Sequence, residues 1–222
     1  MPQFLADLKA GTPKKIYTDP QKADVQKSPT PRFELLKFER YNHIGIQWCR
    51  GCPFSCEFCD IIELFGKVPR AKSSTQILAE LQKLYDLGYR GHVDLVDDNF
   101  IGNKKLVKQF LPELKKWLEE RNWPFEFTTE ASINLADDPA LMKAMQEVGF
   151  FAIFVGIESP DGSEFRLRGK GVSKALLAAA GFTKPGPVPI LFDVGAARSA
   201  ARRFSRSGWS IHFVNPSQEH AA

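Results

Sequence analysis

Apolar and polar positions along the chain fall into regular periods only from about residue 41 onward. The run "HIGIQW" (43–48) has the length and apolar content of a short strand. "SSTQILAELQKLYDLG" (73–88) sets Ile77, Leu78, Leu81, Leu84 and Tyr85 on one helical face. Ser73, Ser74 or Thr75 supplies the cap of that helix, and Gly88 ends it. "HVDLVDD" (92–98) predicts a strand. "NKKLVKQFLPELKKWLEER" (103–121) predicts a second amphipathic helix that buries Leu106, Val107, Phe110, Leu114, Trp117 and Leu118, with Pro112 as its point of kinking. "FEFTTEAS" (125–132) is a third strand, and "DPALMKAMQEVG" (138–149) a helix with Pro139 in its first turn and Gly149 at its end. "FFAIFVGIES" (150–159) has almost no polar alternation, the mark of a strand buried on both faces of a parallel sheet.

Strand, helix, strand, helix, strand, helix, strand is a run of βαβ units, and right-handed crossovers make its four strands parallel. The fold class is therefore α/β, and sites of such folds form at the C-terminal ends of the strands. Polar residues gather there: the cysteines after the first strand, Asp97 and Asp98 after the second, Glu130 and Ser132 after the third, Glu158 and Ser159 after the fourth. His43 and His92 stand at strand starts, away from that rim, and read as structural. The chain divides into a linker-like arm (1–40), a core of four β/α units (41–160) and a tail (161–222) rich in Ala, Arg, Ser and Gly. In the tail, "VPILFDV" and "WSIHFV" have strand character and "SKALLAAA" has that of a short helix.

Charge narrows the function classes. The net +4 belongs to the tail, because residues 1–160 hold 21 Lys+Arg against 22 Asp+Glu and residues 161–222 hold 9 against 4. A neutral body argues against nucleic-acid binding. No run of eighteen apolar residues predicts a membrane span. The start "MPQFLADLKAGTPKK" does not read as a secretory signal, so a reducing cytoplasm is the expected compartment. There, clustered cysteines bind metal more often than they pair as disulfides.

All four cysteines lie in "CRGCPFSCEFC" (49–59), spaced Cys49-x2-Cys52-x3-Cys56-x2-Cys59. Thiolates are soft ligands for zinc or iron–sulfur clusters. Structural zinc sites separate two C-x2-C pairs by a longer loop than the three residues present here. The ferredoxin order C-x2-C-x2-C-x3-C-P is also absent.

Without Cys49, the remaining Cys52-x3-Cys56-x2-Cys59 resembles the C-x3-C-x2-C motif of radical S-adenosylmethionine enzymes. The resemblance implies a partial (β/α)6 TIM-like barrel whose three thiolates hold three irons of a 4Fe–4S cluster. The fourth iron stays open for the methionyl amine and carboxylate of S-adenosylmethionine. An electron from the cluster then cleaves the cofactor to methionine and a 5′-deoxyadenosyl radical, followed by hydrogen abstraction or methyl transfer on a small-molecule substrate. An external donor of flavodoxin or ferredoxin type supplies the electron. Carried over by position, Phe58 lies near the adenine, Asp97 and Asp98 bind the methionyl amine, and Glu158 binds the ribose. Glu130 and Ser132 are further ligand contacts, while Arg70 or Lys72 either pairs with the methionyl carboxylate or forms a solvated basic face.

From about Asp7 to Asp161 the wording "RGCPFSCEFCDIIELFGKVPRAK", "GHVDLVDDNFIGNKK", "FEFTTEASINLADD" and "FFAIFVGIESPD" resembles bacterial radical enzymes that carry a cobalamin-binding domain ahead of the radical domain. Two departures follow. The D-x-H-x-x-G signature of that domain is absent, so cobalamin is not expected on these residues. The tail after Asp161 does not resemble the family's last two β/α units, so the C-terminal part reads as atypical or incomplete. It is either a truncated or frame-shifted product or a divergent variant in which "VPILFDV" and "WSIHFV" supply the last strands. Cys49 occupies a position usually held by a small hydroxyl residue and reads as a bystander, the alternative being a fourth ligand when S-adenosylmethionine is absent. Two other functions stay open: a catalytically incompetent fragment that only holds a cluster, and a zinc-binding module.

Overall fold

The computed structural model describes residues 2–18, 21–56 and 59–155, together with the backbone of 188–193 and 209–214. Six parallel strands stand side by side in chain order: β1 (Ile44–Ile46), β4 (Gly91–Leu95), β5 (Phe125–Glu130), β6 (Phe150–Val155), β7 (Val188–Asp193) and β8 (Trp209–Val214). Between them run α3 (Ser74–Asp86), α4 (Lys104–Glu119) and α5 (Pro139–Glu147). The strand order never reverses. The sheet therefore advances in one direction, as in a barrel wall, and not as in a doubly wound sheet with its switch point. The two tail segments expected as candidate strands are β7 and β8, the fifth and sixth strands of the sheet; "SKALLAAA" lies outside the described residues.

Alternation along β5 shows how the sheet sorts its faces. Phe125, Phe127 and Thr129 are buried against the helices, whereas Glu126 and Glu130 are exposed on the opposite, concave face. The helices return the matching surface: Ile77, Leu81 and Leu84 from α3, Val107, Phe110, Leu114 and Leu118 from α4, and Leu141, Met142 and Met145 from α5 are all buried. Each such side chain contributes roughly 1.5–3 kcal/mol of transfer free energy. Local sequence starts the helices where expected. Ser73 and Gln76 form a reciprocal capping box on α3, Asn103 accepts from the Leu106 N–H on α4, and Asp138 accepts from the Leu141 N–H on α5, with Pro139 opening it.

Three expectations need correction. Leu106 is exposed and Leu111 is buried. At about 100° per residue, Leu111 lies nearer than Leu106 to the centre of the face set by Val107, Phe110, Leu114 and Leu118. The last core strand is not buried throughout, because Phe154 is 40% exposed beside Glu130 on the concave face. The arm is not featureless: α1 spans Pro2–Lys9, and three 3-10 turns follow at Val25–Lys27, Phe33–Leu35 and Phe38–Arg40. Val25 and Phe33 are buried, so the second half of the arm is sewn onto the core. Among the described residues no helix is long and apolar enough to cross a membrane.

Candidate cluster-binding site

The cysteine loop is an excursion from the C-terminal end of β1, and its neck is tied in several places. β2 (Cys49–Arg50) pairs antiparallel with β3 (Arg70–Ala71), with Cys49 opposite Ala71. Just inside the neck, the Cys52 N–H donates to Gly66 O at 3.2 Å. Just outside it, the Lys72 N–H donates to Trp48 O at 2.8 Å, and the Trp48 indole N–H donates back to Lys72 O at 2.9 Å. Gly51 sits at the crossing with φ of 100°, and a Cβ there would stand 2.8 Å from Gly66 O and 2.9 Å from Val68 O. Only glycine fits that passage.

The arm clamps the far side of the excursion. Lys22 Nζ donates to the carbonyls of Glu63 and Leu64, at the end of the short helix α2 (Ile61–Leu64), at 2.5 and 3.0 Å. The Arg70 guanidinium donates to Phe65 O at 2.8 Å and to Ala23 O. Arg70 is therefore engaged with carbonyls. Lys72 forms an ion pair with Glu80 at 2.6 Å, the two side chains being 10% and 2% exposed. Neither cation is a solvated basic face.

The four thiols separate by position. Cys49 is 3% exposed within the hydrophobic core, and burial, aided by the nearby Asp97 and Asp98, pushes its thiol up to about 12. Cys52, Cys56 and Cys59 are half-buried on the loop, where the Cys59 N–H donates to Cys56 O at 3.2 Å. None of the four is in a disulfide. Among the described residues no three His, Cys, Asp or Glu side chains already stand together at metal-holding separation, residues 57 and 58 of the loop lying outside them. The chemistry of the donor set fits an iron–sulfur cluster: three accessible soft thiolates within eight residues, the fourth thiol withdrawn into the core.

The two aspartates after β4 have different tasks. Asp97 is 1% exposed, and its Oδ1 accepts from the N–H groups of Trp48 and Cys49 at 2.9 and 2.8 Å. Its Oδ2 has no hydrogen-bond partner. Burial pushes its carboxyl up to about 7 against the pull of those two N–H groups. Asp97, expected at the rim beside Asp98, is instead buried under the loop and orients the chain entering it. Asp98 is half-buried and held above the ordinary carboxylate range by burial, an effect partly offset by the N–H groups of its own residue and of Gly51. Glu130, although exposed on the concave face, is also held high, by loss of water around it and then by the negative charges of Asp94 and Asp98. Asp98 and Glu130 thus lie within electrostatic reach of one another at the strand ends.

Ser132, expected as a ligand contact, is committed to protein. Its N–H donates to Asn99 Oδ1 at 3.2 Å, and its hydroxyl contacts Asn134 Oδ1 at 2.7 Å. Asn99 is the residue that sequence reasoning passed over. It is 3% exposed and its amide reaches both Ser132 Oγ (3.0 Å) and Cys52 Sγ (3.7 Å). The signal available was an amide directly after two carboxylates at a strand end. Phe58 and Glu158 lie outside the described residues. His92 and His43 meet at the opposite end of the sheet with tilted rings, centroids 5.1 Å apart, and His92 Nε2 meets Thr128 Oγ1 at 2.6 Å.

The chain is 52% identical over 161 residues to an uncharacterized methyltransferase of Synechocystis sp., covering 72% of this chain and 30% of that protein. It is 41% identical over 146 residues to the hopanoid C-2 methylase of Rhodopseudomonas palustris, covering 66% and 28%. The chain thus spans less than a third of the length of these relatives. Among solved structures it superposes on the cobalamin-dependent S-adenosylmethionine radical enzyme OxsB with a TM-score of 0.65 at 18% identity, over 91% of this chain and 34% of that one. That likeness shows the fold. The sequence profile of the Radical SAM superfamily matches residues 46–180, more than half of the chain and the whole of the cysteine loop with β2 and β3, and the chain belongs to that superfamily.

Proposed function

We propose that this chain is the radical core of an S-adenosylmethionine enzyme, with Cys52, Cys56 and Cys59 as the cluster ligands. The observation that carries the reading is the separation of the thiols: three on a half-buried loop at the C-terminal end of β1, the fourth turned into the core. When bound, the cluster supplies the electron that splits S-adenosylmethionine into methionine and a 5′-deoxyadenosyl radical. The chain's own residues hold that loop and shape its surroundings. Asp97 orients the backbone of Trp48 and Cys49, the β2–β3 pair closes the neck, and Lys22 and Arg70 fix the outer turn. Asp98 and Glu130 present carboxylates at the strand ends, where an ammonium such as the methionyl amine is the complementary ligand.

The names of two relatives, a methyltransferase and a methylase, support methyl transfer to a small molecule as the reaction subtype. An external one-electron donor completes the reading. The cobalamin named for OxsB is a property of that protein.

The test is anaerobic reconstitution with iron and sulfide, reduction with dithionite in the presence of S-adenosylmethionine, and mass-spectrometric detection of 5′-deoxyadenosine. Formation of 5′-deoxyadenosine that is lost in Cys52→Ala supports the reading. A cluster-loaded sample that produces none overturns catalysis by this chain.

A further inference from the structure

We infer that Asn99 is a positioning residue that donates a hydrogen bond to the Cys52 sulfur and thereby raises the reduction potential of the cluster; the inference rests on the cluster reading above. Asn99 follows β4 and is 3% exposed. Its Nδ2 stands 3.7 Å from Cys52 Sγ and 3.0 Å from Ser132 Oγ, so the two amide hydrogens have two acceptors.

The orientation of the amide follows from its partners. Asn99 Oδ1 receives the backbone N–H of Ser132 at 3.2 Å. Flipping the amide would set an NH2 group against that N–H and leave the Ser132 N–H without its acceptor in a buried place. The Ser132 hydroxyl is anchored in turn by Asn134 Oδ1 at 2.7 Å. A chain of hydrogen bonds running back through the turn after β5 therefore fixes an N–H dipole on the sulfur of the first ligand.

Adding an electron increases the negative charge on the cluster sulfurs. A donor aimed at one of them stabilises the reduced state more than the oxidised state, which moves the potential upward. Burial of Asn99 strengthens the effect, because little water screens its amide dipole. Ser132, whose position resembles a ligand contact, acts in this arrangement through Asn99.

The test uses the full chain, reconstituted anaerobically and titrated against electrode potential, with the EPR signal of the reduced cluster as readout and no S-adenosylmethionine present. Asn99→Leu removes the donor without adding charge; Asn99→Asp keeps the shape and adds a negative charge. Both are expected to lower the potential, Asn99→Asp more, with about a tenfold fall in the reduced-to-oxidised ratio at a fixed potential, equivalent to 59 mV for one electron. Ser132→Ala is expected to give a smaller shift in the same direction. Variants with intact clusters and wild-type potentials overturn the role of Asn99 and leave the cluster reading standing. A wild-type chain that takes up no iron overturns both. If the variants lose the cluster, pulsed EPR on wild-type protein carrying side-chain 15N-asparagine decides: a weak nitrogen coupling to the reduced cluster supports the hydrogen bond, and its absence overturns it.

Discussion

Asp97 and Cys49, 48 residues apart in sequence, are joined by a 2.8 Å hydrogen bond from the Cys49 N–H to Asp97 Oδ1. The same oxygen takes the Trp48 N–H at 2.9 Å, so one buried carboxylate fixes the point where β1 gives way to the cysteine loop. With its carboxyl raised to about 7 from an ordinary value of 3.8, the folded chain holds a proton between those two values that the unfolded chain has released. Asp97 therefore subtracts stability as pH climbs through that window and costs nothing more above it. Asp97→Asn stays neutral and should lack this slope. Measured by urea unfolding, the stability of the variant relative to wild type is expected to improve by about 3 kcal/mol between pH 5 and pH 8. Parallel pH profiles would remove the buried proton from the account.

Lys72 and Glu80 form a buried ion pair behind the neck through Glu80 Oε1, and Glu80 Oε2 has no hydrogen-bond partner. Burial dominates Lys72 in setting the Glu80 carboxyl, which lies above its usual range. Lys72→Met strands that carboxyl and is expected to cost about 3–5 kcal/mol. The double variant Lys72→Met/Glu80→Leu is expected to recover most of the loss, because two apolar groups replace two desolvated charges. Equal losses in the single and double variants, read from denaturant midpoints, would contradict this.

Gly51 and Gly66 both have positive φ, 100° and 85°, but only Gly51 faces backbone carbonyls inside 3 Å. Gly66→Ala should cost only the backbone penalty, about 1–2 kcal/mol. Gly51→Ala adds a clash that flexible side chains cannot relieve, for a total of roughly 2–5 kcal/mol. It should also open the neck and lower iron uptake, which Gly66→Ala should leave near wild type. Iron quantification on both proteins separates the two costs.

Cys49 should be chemically silent in the folded apo-protein. A thiol pushed up to about 12 leaves almost no thiolate near pH 8, and burial blocks the reagent as well. Iodoacetamide under native conditions is expected to modify three cysteines, with Cys49 slower by roughly 1000-fold until urea is added. Peptide mapping identifies the protected site. Early labelling of Cys49 would return it to the list of candidate ligands.

Much of this was legible in the chain because helix and strand periods are dictated by burial, and burial is local to each element. The strand at 125–130 and the helices beginning at Ser74 and Pro139 follow from alternation and caps that lie within each segment. The resemblance of Cys52-x3-Cys56-x2-Cys59 to a known motif sets Cys49 apart, and Cys49 is the one thiol of the four that is buried. What sequence could not reveal depends on contacts across long separations. The β2–β3 neck is only two residues wide on each side, too short to carry any period. Asp97 looked like a rim ligand because it precedes Asp98, yet its partners are backbone groups far upstream that no local pattern encodes. Asn99 and Ser132 are 33 residues apart and meet only because β4 and β5 are neighbours.

The central claim is that three thiolates hold a cluster with one iron left open. The most direct measurement is the EPR spectrum of the dithionite-reduced, reconstituted chain before and after adding S-adenosylmethionine, on wild type and Cys49→Ala. The account predicts a reduced 4Fe–4S signal whose g values shift on addition, alike in both proteins, and its loss in Cys52→Ala. One zinc per chain with no iron–sulfur absorbance, or a signal that ignores S-adenosylmethionine, would contradict it.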